Sequence, residues 1–159
     1  MPTPVTSVFS NPVHFLAFGF GSGLAPKAPG TAGTVVAVPL FLLLAQLPFL
    51  FYLPVVLLSF LAGIYLCGKT ASDIGVHDHG GIVWDEFVGY WITMMFVQVT
   101  WYWVLAGFIL FRIFDILKPF PIGWLDKKVG GGLGIMVDDV VAGIYAFLCL
   151  QGMIFLFGA

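Results

Sequence analysis

The longest uncharged stretch of this sequence lies between Lys27 and Lys69, where more than forty consecutive residues include no Asp, Glu, Lys or Arg. Such a stretch is long enough for two transmembrane helices of about 20 residues each. The whole chain is 9% charged, whereas soluble domains carry about 25% charged residues. The sequence therefore predicts an integral membrane protein, and its 159 residues fit one domain over residues 1–159.

The apolar segments predict an all-α, polytopic bundle of about five transmembrane helices, some of them short, with active-site loops on one side. The interfacial aromatic cluster QVTWYW at 98–103 divides the long apolar run after Phe87 into two helices. Residues 8–27 are interpreted as an interfacial or partly buried helix followed by a loop. The five predicted helices cover residues 33–47, 50–68, 82–97, 101–117 and 135–157.

The basic residues all fall on one side of this five-helix topology. The opposite loops, near residues 47–50 and 98–100, carry no charge. Because cytoplasmic loops are enriched in Lys and Arg, this pattern predicts a cytoplasmic N-terminus and places six basic residues in the cytoplasm: Lys27, Lys69, Arg112, Lys118, Lys127 and Lys128.

The acidic residues fall on the same side, and five of them lie at predicted helix ends within apolar sequence. Carboxylates at membrane depth are costly and usually functional. Helix capping could explain one such residue, but not doublets on two helices or an acid at a helix C-terminus. A cluster of carboxylates favours a hard cation such as Mg²⁺. The predicted catalytic and metal-binding residues are Asp85, Glu86, Asp115, Asp138 and Asp139, and the other acids are Asp73, Asp78 and Asp126.

Basic and glycine-rich segments near these acids predict a phosphate site. Arg112 and Asp115 are three residues apart and share a helix face. Arg112 and Lys118 could bind phosphate, or they could contact lipid head groups at the interface. The loop GFGSGLAPKAPGTAGT at 19–34 could cradle an anion through its backbone, Lys27 and Thr31. The alternative is an ordinary loop with Thr31 or Thr34 as a helix cap.

The remaining titratable residues have simpler interpretations. His77 and His79 in GVHDHGG could act as a general acid or orient a carboxylate, although structural hydrogen bonding explains them as well. His14 is interpreted as interfacial and inert. Cys67 and Cys149 lie in apolar runs and are interpreted as small core residues without a disulfide.

Four segments together resemble the phosphatidylglycerophosphatase A family of bacteria: GFGSGLAPKAPGTAG, GVHDHGGIVWDEFVGYWI, FRIFDILKPFPI and GGGLGIMVDDVVAG. The resemblance covers about residues 14–146, with the segments in the family's order. It implies Mg²⁺-dependent hydrolysis of the terminal phosphate of phosphatidylglycerophosphate, giving phosphatidylglycerol and inorganic phosphate, at the bacterial inner membrane. It also implies that activity depends on Asp85, Glu86, Asp115, Asp138 and Asp139.

Two rival functions follow from the same composition. A metal-dependent phospholipid head-group transferase is also membrane-bound, but the long Asp-Gly-Ala-Arg pattern of the CDP-alcohol enzymes is absent from the sequence. A channel or transporter could use acids to line a cation path, yet these acids crowd one surface. The expected partners are phosphatidylglycerophosphate and the lipid bilayer, not nucleic acid, and the oligomeric state stays open.

Overall fold

All regular secondary structure in the described part of the computed structural model, residues 8–77 and 79–158, is helical. The all-α prediction is therefore confirmed. A 3₁₀ turn covers Ser22–Leu24. The α-helices with both ends in the described ranges are α1 (Pro12–Ala17), α2 (Pro29–Leu44), α3 (Phe49–Ile74), α4 (Trp84–Thr93), α5 (Trp101–Leu117), α6 (Ile122–Lys128) and α7 (Gly131–Phe157).

Each of the five predicted helices corresponds to a helix of the structure, but they differ in their capacity to cross a bilayer. Within the described residues, α3 with 26 residues and α7 with 27 are long and apolar enough to span a membrane. The ten residues of α4 rise only about 15 Å, half of the hydrocarbon thickness of about 30 Å. The structure thus supports two candidate spans by length and composition, and the five-span arrangement remains a prediction.

Four predicted helix boundaries differ from the structure by four or more residues. Helix α2 begins at Pro29 instead of residue 33, and α4 ends at Thr93 instead of residue 97. Helix α3 continues to Ile74 and ends where Gly75 adopts a left-handed conformation with φ 77°, so the polar loop is shorter than predicted. Helix α7 begins at Gly131 instead of residue 135, because its glycines allow close packing. A Cβ on Gly132 would lie 1.8 Å from the carbonyl oxygen of Ile64 on α3. Asp138 and Asp139 consequently lie in the third turn of α7 and not at its start.

The crossing of α4 and α7 forms the centre of the bundle. A Cβ on Gly143 of α7 would lie 2.5 Å from the carbonyl oxygen of Gly89 on α4, and a Cβ on Gly89 would lie 2.8 Å from the carbonyl oxygen of Asp139. Small residues at such a crossing let two backbones approach closely. The Oγ1 of Thr93 donates to the carbonyl of Gly89 within α4 at 3.0 Å and also lies 3.4 Å from the carbonyl oxygen of Gly143 on α7. This close approach brings the first turn of α4, with Asp85 and Glu86, beside Asp139.

The N-terminal segment packs against the loop that precedes α4. The amide of Val83 donates to the carbonyl of Ala17 at 2.9 Å, and a Cβ on Gly23 would lie 1.9 Å from the carbonyl oxygen of Gly81. The predicted helix and loop over residues 8–27 therefore correspond to α1 and the 3₁₀ turn, whereas their interfacial position stays a prediction.

The two cysteines occupy different environments, and they do not form a disulfide. Cys67 on α3 is buried, with its Sγ 3.8 Å from the Sδ of Met136. Cys149 lies on the outer surface of α7 and is exposed. The prediction of a core residue is confirmed for Cys67 and wrong for Cys149, because an apolar run alone does not reveal which face of a helix is outward.

Candidate active site

All five predicted catalytic acids line one small cavity of about 150 Å³ at one end of the bundle. Three helices contribute them: α4 from its first turn, α5 from its last turn and α7 from its third turn. Lys118, which follows α5, lines the same cavity. Residues separated by more than fifty positions in the sequence thus share one polar site, as the sequence predicted.

Three of these acids form a tight carboxylate cluster, defined here as Glu86, Asp115 and Asp139. One carboxylate oxygen of each residue lies within 4.8 Å of the corresponding oxygens of the other two. Glu86 and Asp139 are almost fully buried, with exposed fractions of 8% and 2%. Carboxylates at this separation repel one another unless a proton or a cation lies between them.

The chemistry of the cluster fits a hard divalent cation. Among the described residues, no hydrogen bond reaches the buried Oε2 of Glu86, Oδ1 of Asp138 or Oδ2 of Asp139. Buried polar atoms are nearly always partnered, so these orphaned oxygens indicate an unfilled bonding capacity. Oxygen ligands from several carboxylates are what Mg²⁺ and Ca²⁺ prefer. The donor set of the cluster is therefore suited to a metal ion.

Arg112 joins two members of the cluster. Its Nη1 donates to Oε1 of Glu86 at 3.1 Å and to Oδ2 of Asp115 at 2.5 Å. The shared α5 face predicted for Arg112 and Asp115 is confirmed by their ion pair. The Nε of Arg112 is buried and lacks a hydrogen-bond partner among the described residues. Arg112 thus offsets carboxylate charge with one nitrogen and keeps a donor for a further acceptor.

Lys118 binds a second pair of acids next to the cluster. Its Nζ lies 2.7 Å from Oδ2 of Asp138 and 3.2 Å from Oδ1 of Asp126. Burial opposes the charged form of Lys118, but these two carboxylates outweigh it and raise the pKa of Lys118 above its usual value. The ammonium group is therefore held in its charged form beside the cavity. Asp126 received no functional role from the sequence, because nothing in its spacing ties it to Lys118.

The glycine-rich segment contributes to the site in a way the sequence did not predict. A Cβ on Gly30 would lie 2.2 Å from Oε1 of Glu86, and a Cβ on Gly33 would lie 2.6 Å from its Oε2. The glycines of PGTAG therefore leave space for the Glu86 carboxylate against α2. The sequence carried a signal for this contact, since two glycines three residues apart share a helix face.

The two predicted phosphate ligands on this segment have different positions. Thr31 is half-buried in the first turn of α2, and Lys27 is exposed just before that helix. The alternative of a threonine cap is not what the structure shows, because Ala28 is the N-cap and Thr34 donates its hydroxyl to the carbonyl of Gly30 at 3.0 Å.

His77 and His79 make backbone hydrogen bonds near the site and do not line the cavity. The Nε2 of His77 accepts from the amide of Gly131 at 3.0 Å, where α7 begins. The Nδ1 of His79 accepts from the amide of Gly81 at 3.0 Å. These contacts match the structural interpretation of both histidines. Asp78, which separates them, lies outside the described residues.

A second charged group, which the sequence did not predict, joins α1 to α3. His14 is 5% exposed, and its Nε2 lies 3.0 Å from Oδ2 of Asp73. Lys69 pairs with the other oxygen of Asp73. The contact with Asp73 could not be read from local sequence, because the partner lies 59 residues away, and the interpretation of His14 as interfacial and inert stays a prediction. These residues, His14, Lys69 and Asp73, are called the His14 network below.

Comparison of the sequence with known proteins identifies its family. Residues 15–154 match the sequence model of the family described as phosphatidylglycerophosphatase A. The phosphatidylglycerophosphatase A of Escherichia coli K12 is 57% identical over 136 residues, which cover 85% of this chain and 79% of that protein. The protein of the same name from Haemophilus influenzae Rd is 55% identical over 143 residues, covering 87% and 86%.

One relative carries a different name. A protein of Bacteroides thetaiotaomicron, provisionally described as a phosphatidylinositol-3-phosphatase, is 44% identical over 140 residues, which cover 83% of this chain and 87% of that protein. No solved structure shows a significant match. The family match and the two bacterial relatives named for the same activity agree over most of the chain. The chain therefore belongs to the phosphatidylglycerophosphatase A family, a family of phosphatase enzymes.

Proposed function

We propose that this protein hydrolyses the terminal phosphate monoester of phosphatidylglycerophosphate in a Mg²⁺-dependent reaction that yields phosphatidylglycerol and inorganic phosphate. The observation that carries the proposal is the carboxylate cluster, with its orphaned buried oxygens beside Arg112 and Lys118. The names of the relatives supply the substrate.

The residues that would hold Mg²⁺ are Glu86, Asp115 and Asp139, with Asp85 and Asp138 lining the same cavity. A bound divalent cation would offset the charge of carboxylates and phosphate and would lower the pKa of a bound water. Without such a cation, five carboxylates would repel an anionic phosphate ester. Cation binding thus explains why several carboxylates lie together in a site for an anionic substrate.

Arg112 and Lys118 are the best-placed residues to bind the phosphate oxygens. The orphaned Nε of Arg112 leaves a donor for a phosphate oxygen while Nη1 remains on Glu86 and Asp115. Lys118 offers a point charge at the cavity wall. Lys27, just before α2, and Thr31, in its first turn, would supply further contacts to the phosphate oxygens.

A bacterial inner-membrane location with a cytoplasmic active site forms part of the proposal. Two helices of the chain could span a membrane. The cavity lies at the end of the bundle where α2 and α7 start and α3 and α5 end, as the contact between His77 and Gly131 and the ion pairs of Arg112 indicate. All six basic residues lie at or near these helix ends, and the positive-inside rule assigns that end to the cytoplasm.

The test is phosphate release by the purified protein from phosphatidylglycerophosphate in detergent micelles, with Mg²⁺ and with excess EDTA. We expect release with Mg²⁺ and none with EDTA. Phosphatidylinositol 3-phosphate serves as the competing substrate, because one relative is named for it. Faster phosphate release from phosphatidylinositol 3-phosphate would identify a phosphoinositide as the preferred substrate. No phosphate release from either lipid would contradict the proposed function.

Metal binding has an independent readout in thermal unfolding. A ligand at a hundredfold excess over its dissociation constant stabilises the folded state by about 2.7 kcal/mol. Mg²⁺ should therefore raise the melting temperature of the wild type but not of an Asp139→Asn variant. Equal shifts of the melting temperature in the two proteins would show that Mg²⁺ does not bind at the carboxylate cluster.

A further inference from the structure

A broad apolar groove of about 630 Å³ runs between α2 and α5. The groove follows α2 from Val35 to Leu42 and α5 from Trp101 to Phe108, and it begins at Val99 and Thr100 before α5. Several of its side chains are exposed, so the groove faces the surroundings of the bundle. Its main walls are Val35, Val38 and Leu42 on α2 and Val104, Leu105 and Phe108 on α5.

The walls of this groove are continuous with polar residues of the candidate site. On α5, Val104 and Phe108 continue after one further turn to Arg112. On α2, Leu42 and Val35 lead back to Thr31 in the first turn. Residues three or four apart share a helix face, so each wall is an apolar stripe with a polar residue at its end.

The two walls converge beside the carboxylate cluster, at Gly30 of α2 and Arg112 of α5. A Cβ on Gly30 would lie 3.1 Å from the Nη1 and Nη2 of Arg112 and 2.2 Å from Oε1 of Glu86. The groove therefore ends where α2 and α5 converge on the guanidinium group. An apolar channel closed by a cation and a carboxylate cluster has the polarity of a phospholipid, with a charged head and a long tail.

The length of the groove also fits a lipid tail. Its α5 wall begins at Trp101, and from Trp101 to Arg112 the helix rises about 16 Å over eleven residues. One leaflet of a bilayer contributes about 15 Å of hydrocarbon, half of the full thickness. A tail lying in the groove would span one leaflet and present its head group to Arg112.

We propose that the groove between α2 and α5 binds one acyl chain of the lipid substrate and thereby aligns the head-group phosphate with the carboxylate cluster. This inference rests on the proposed function, because it assumes a lipid phosphate as substrate. The groove makes chain length a determinant of substrate binding, whereas the acids and Arg112 act on the head group.

The experiment compares two variants that add the same bulk in different places. Leu105→Trp fills the groove from α5, where Leu105 is 49% exposed, and Leu57→Trp adds a tryptophan to the outer face of α3, where Leu57 is 53% exposed. Each is assayed on dipalmitoyl and dihexanoyl phosphatidylglycerophosphate in mixed micelles. Leu105→Trp should raise KM for the dipalmitoyl lipid about tenfold, the effect of roughly two methylene groups losing burial.

The dihexanoyl lipid separates a blocked groove from a damaged protein. Leu105→Trp should hydrolyse it at the wild-type rate, and Leu57→Trp should behave as wild type on both lipids. If Leu105→Trp loses activity on both lipids, Leu42→Trp, at the far end of the α2 wall, provides the test in its place. An unchanged KM for the dipalmitoyl lipid in a folded groove variant would overturn the proposal, as would equal losses for Leu57→Trp.

Photolabelling distinguishes the substrate from ordinary surrounding lipid. A diazirine at the acyl terminus of phosphatidylglycerophosphate should label residues 35–42 and 99–108, and unlabelled substrate should suppress that labelling. Equal labelling by a diazirine phosphatidylcholine would assign the groove to bulk lipid and overturn the inference. Failure of the wild type to release phosphate would instead contradict the proposed function, since labelling does not require turnover.

Discussion

The carboxylate cluster and the His14 network are two charged groups that tie helices together, but their balance of charge differs. In the His14 network one carboxylate has a partner on each oxygen, Lys69 on one and His14 on the other. In the carboxylate cluster Arg112 pairs with Glu86 and Asp115, and buried oxygens of Glu86 and Asp139 remain without a hydrogen bond within the described residues. Within the described residues the His14 network leaves the ring Nδ1 of His14 without a hydrogen bond, but both oxygens of Asp73 are paired. The unpaired carboxylate oxygens of the cluster, in contrast, are the type of atom that a divalent cation binds.

The largest loss of activity is expected from a substitution in the carboxylate cluster, at Asp115. The substitution Asp115→Asn removes a charge from the carboxylate cluster while keeping its shape. Phosphate release should fall by roughly 100-fold or more, the usual cost of losing an electrostatic group from a catalytic site. The assay is phosphate release from phosphatidylglycerophosphate with membrane insertion checked in parallel. Near-normal turnover would show that Asp115 is not part of the catalytic group.

A smaller effect is expected from crowding the cluster without changing its charge. In Gly33→Ala the new methyl group would lie 2.6 Å from both Oε2 of Glu86 and the Cβ of Val83. Helix α2 must therefore shift away from Val83, and the Glu86 carboxylate must shift with it. Shifts in residues that orient metal ligands typically cost about 10- to 100-fold in metal affinity or activity. Titration of activity with Mg²⁺ should show a raised requirement.

The matched control is Gly152→Ala on α7, where an added Cβ meets nothing within 4 Å. This variant should keep the wild-type Mg²⁺ requirement. If both variants respond alike, the crowding explanation for Gly33 fails.

Lys118 occupies an intermediate position, because it is paired with Asp126 and Asp138 and also lines the cavity. Replacing it by Met should raise KM for the substrate about tenfold, the equivalent of losing one charge-assisted hydrogen bond. Steady-state kinetics of Lys118→Met and of the control Lys127→Met measure this effect. A change in kcat alone, with KM constant, would argue against a phosphate-binding role.

The smallest effect on activity is expected in the His14 network. Asp73→Asn weakens the contacts of His14 and Lys69, which join α1 to the end of α3. Because these residues do not line the active-site cavity, phosphate release should stay within about twofold of wild type, as for substitutions away from functional sites. The melting temperature should fall slightly. A loss of activity comparable to that of Asp115→Asn would show that the His14 network is not merely structural.

The candidate site was predictable from the sequence to the extent that its signal was local. Acid doublets within apolar sequence identify Asp85, Glu86, Asp138 and Asp139, because charge at membrane depth is costly. The pairing of Arg112 with Asp115 follows from helical spacing. The partners of His14 and Lys118 were not predictable, since they depend on contacts between distant segments.

Composition and charge alone determined that this chain forms apolar helices, with its acids and basic residues gathered at one end. The apolar helices and the positions of the charged residues can be read from short segments, because each segment must be apolar to be buried in a bilayer or a bundle. Only the tertiary structure decided that α7 begins at Gly131, that Gly89 and Gly143 bring α4 and α7 together, and that Gly30 and Gly33 make room for Glu86. Each depends on the close approach of two backbones, which is a property of packing between segments and not of any one of them.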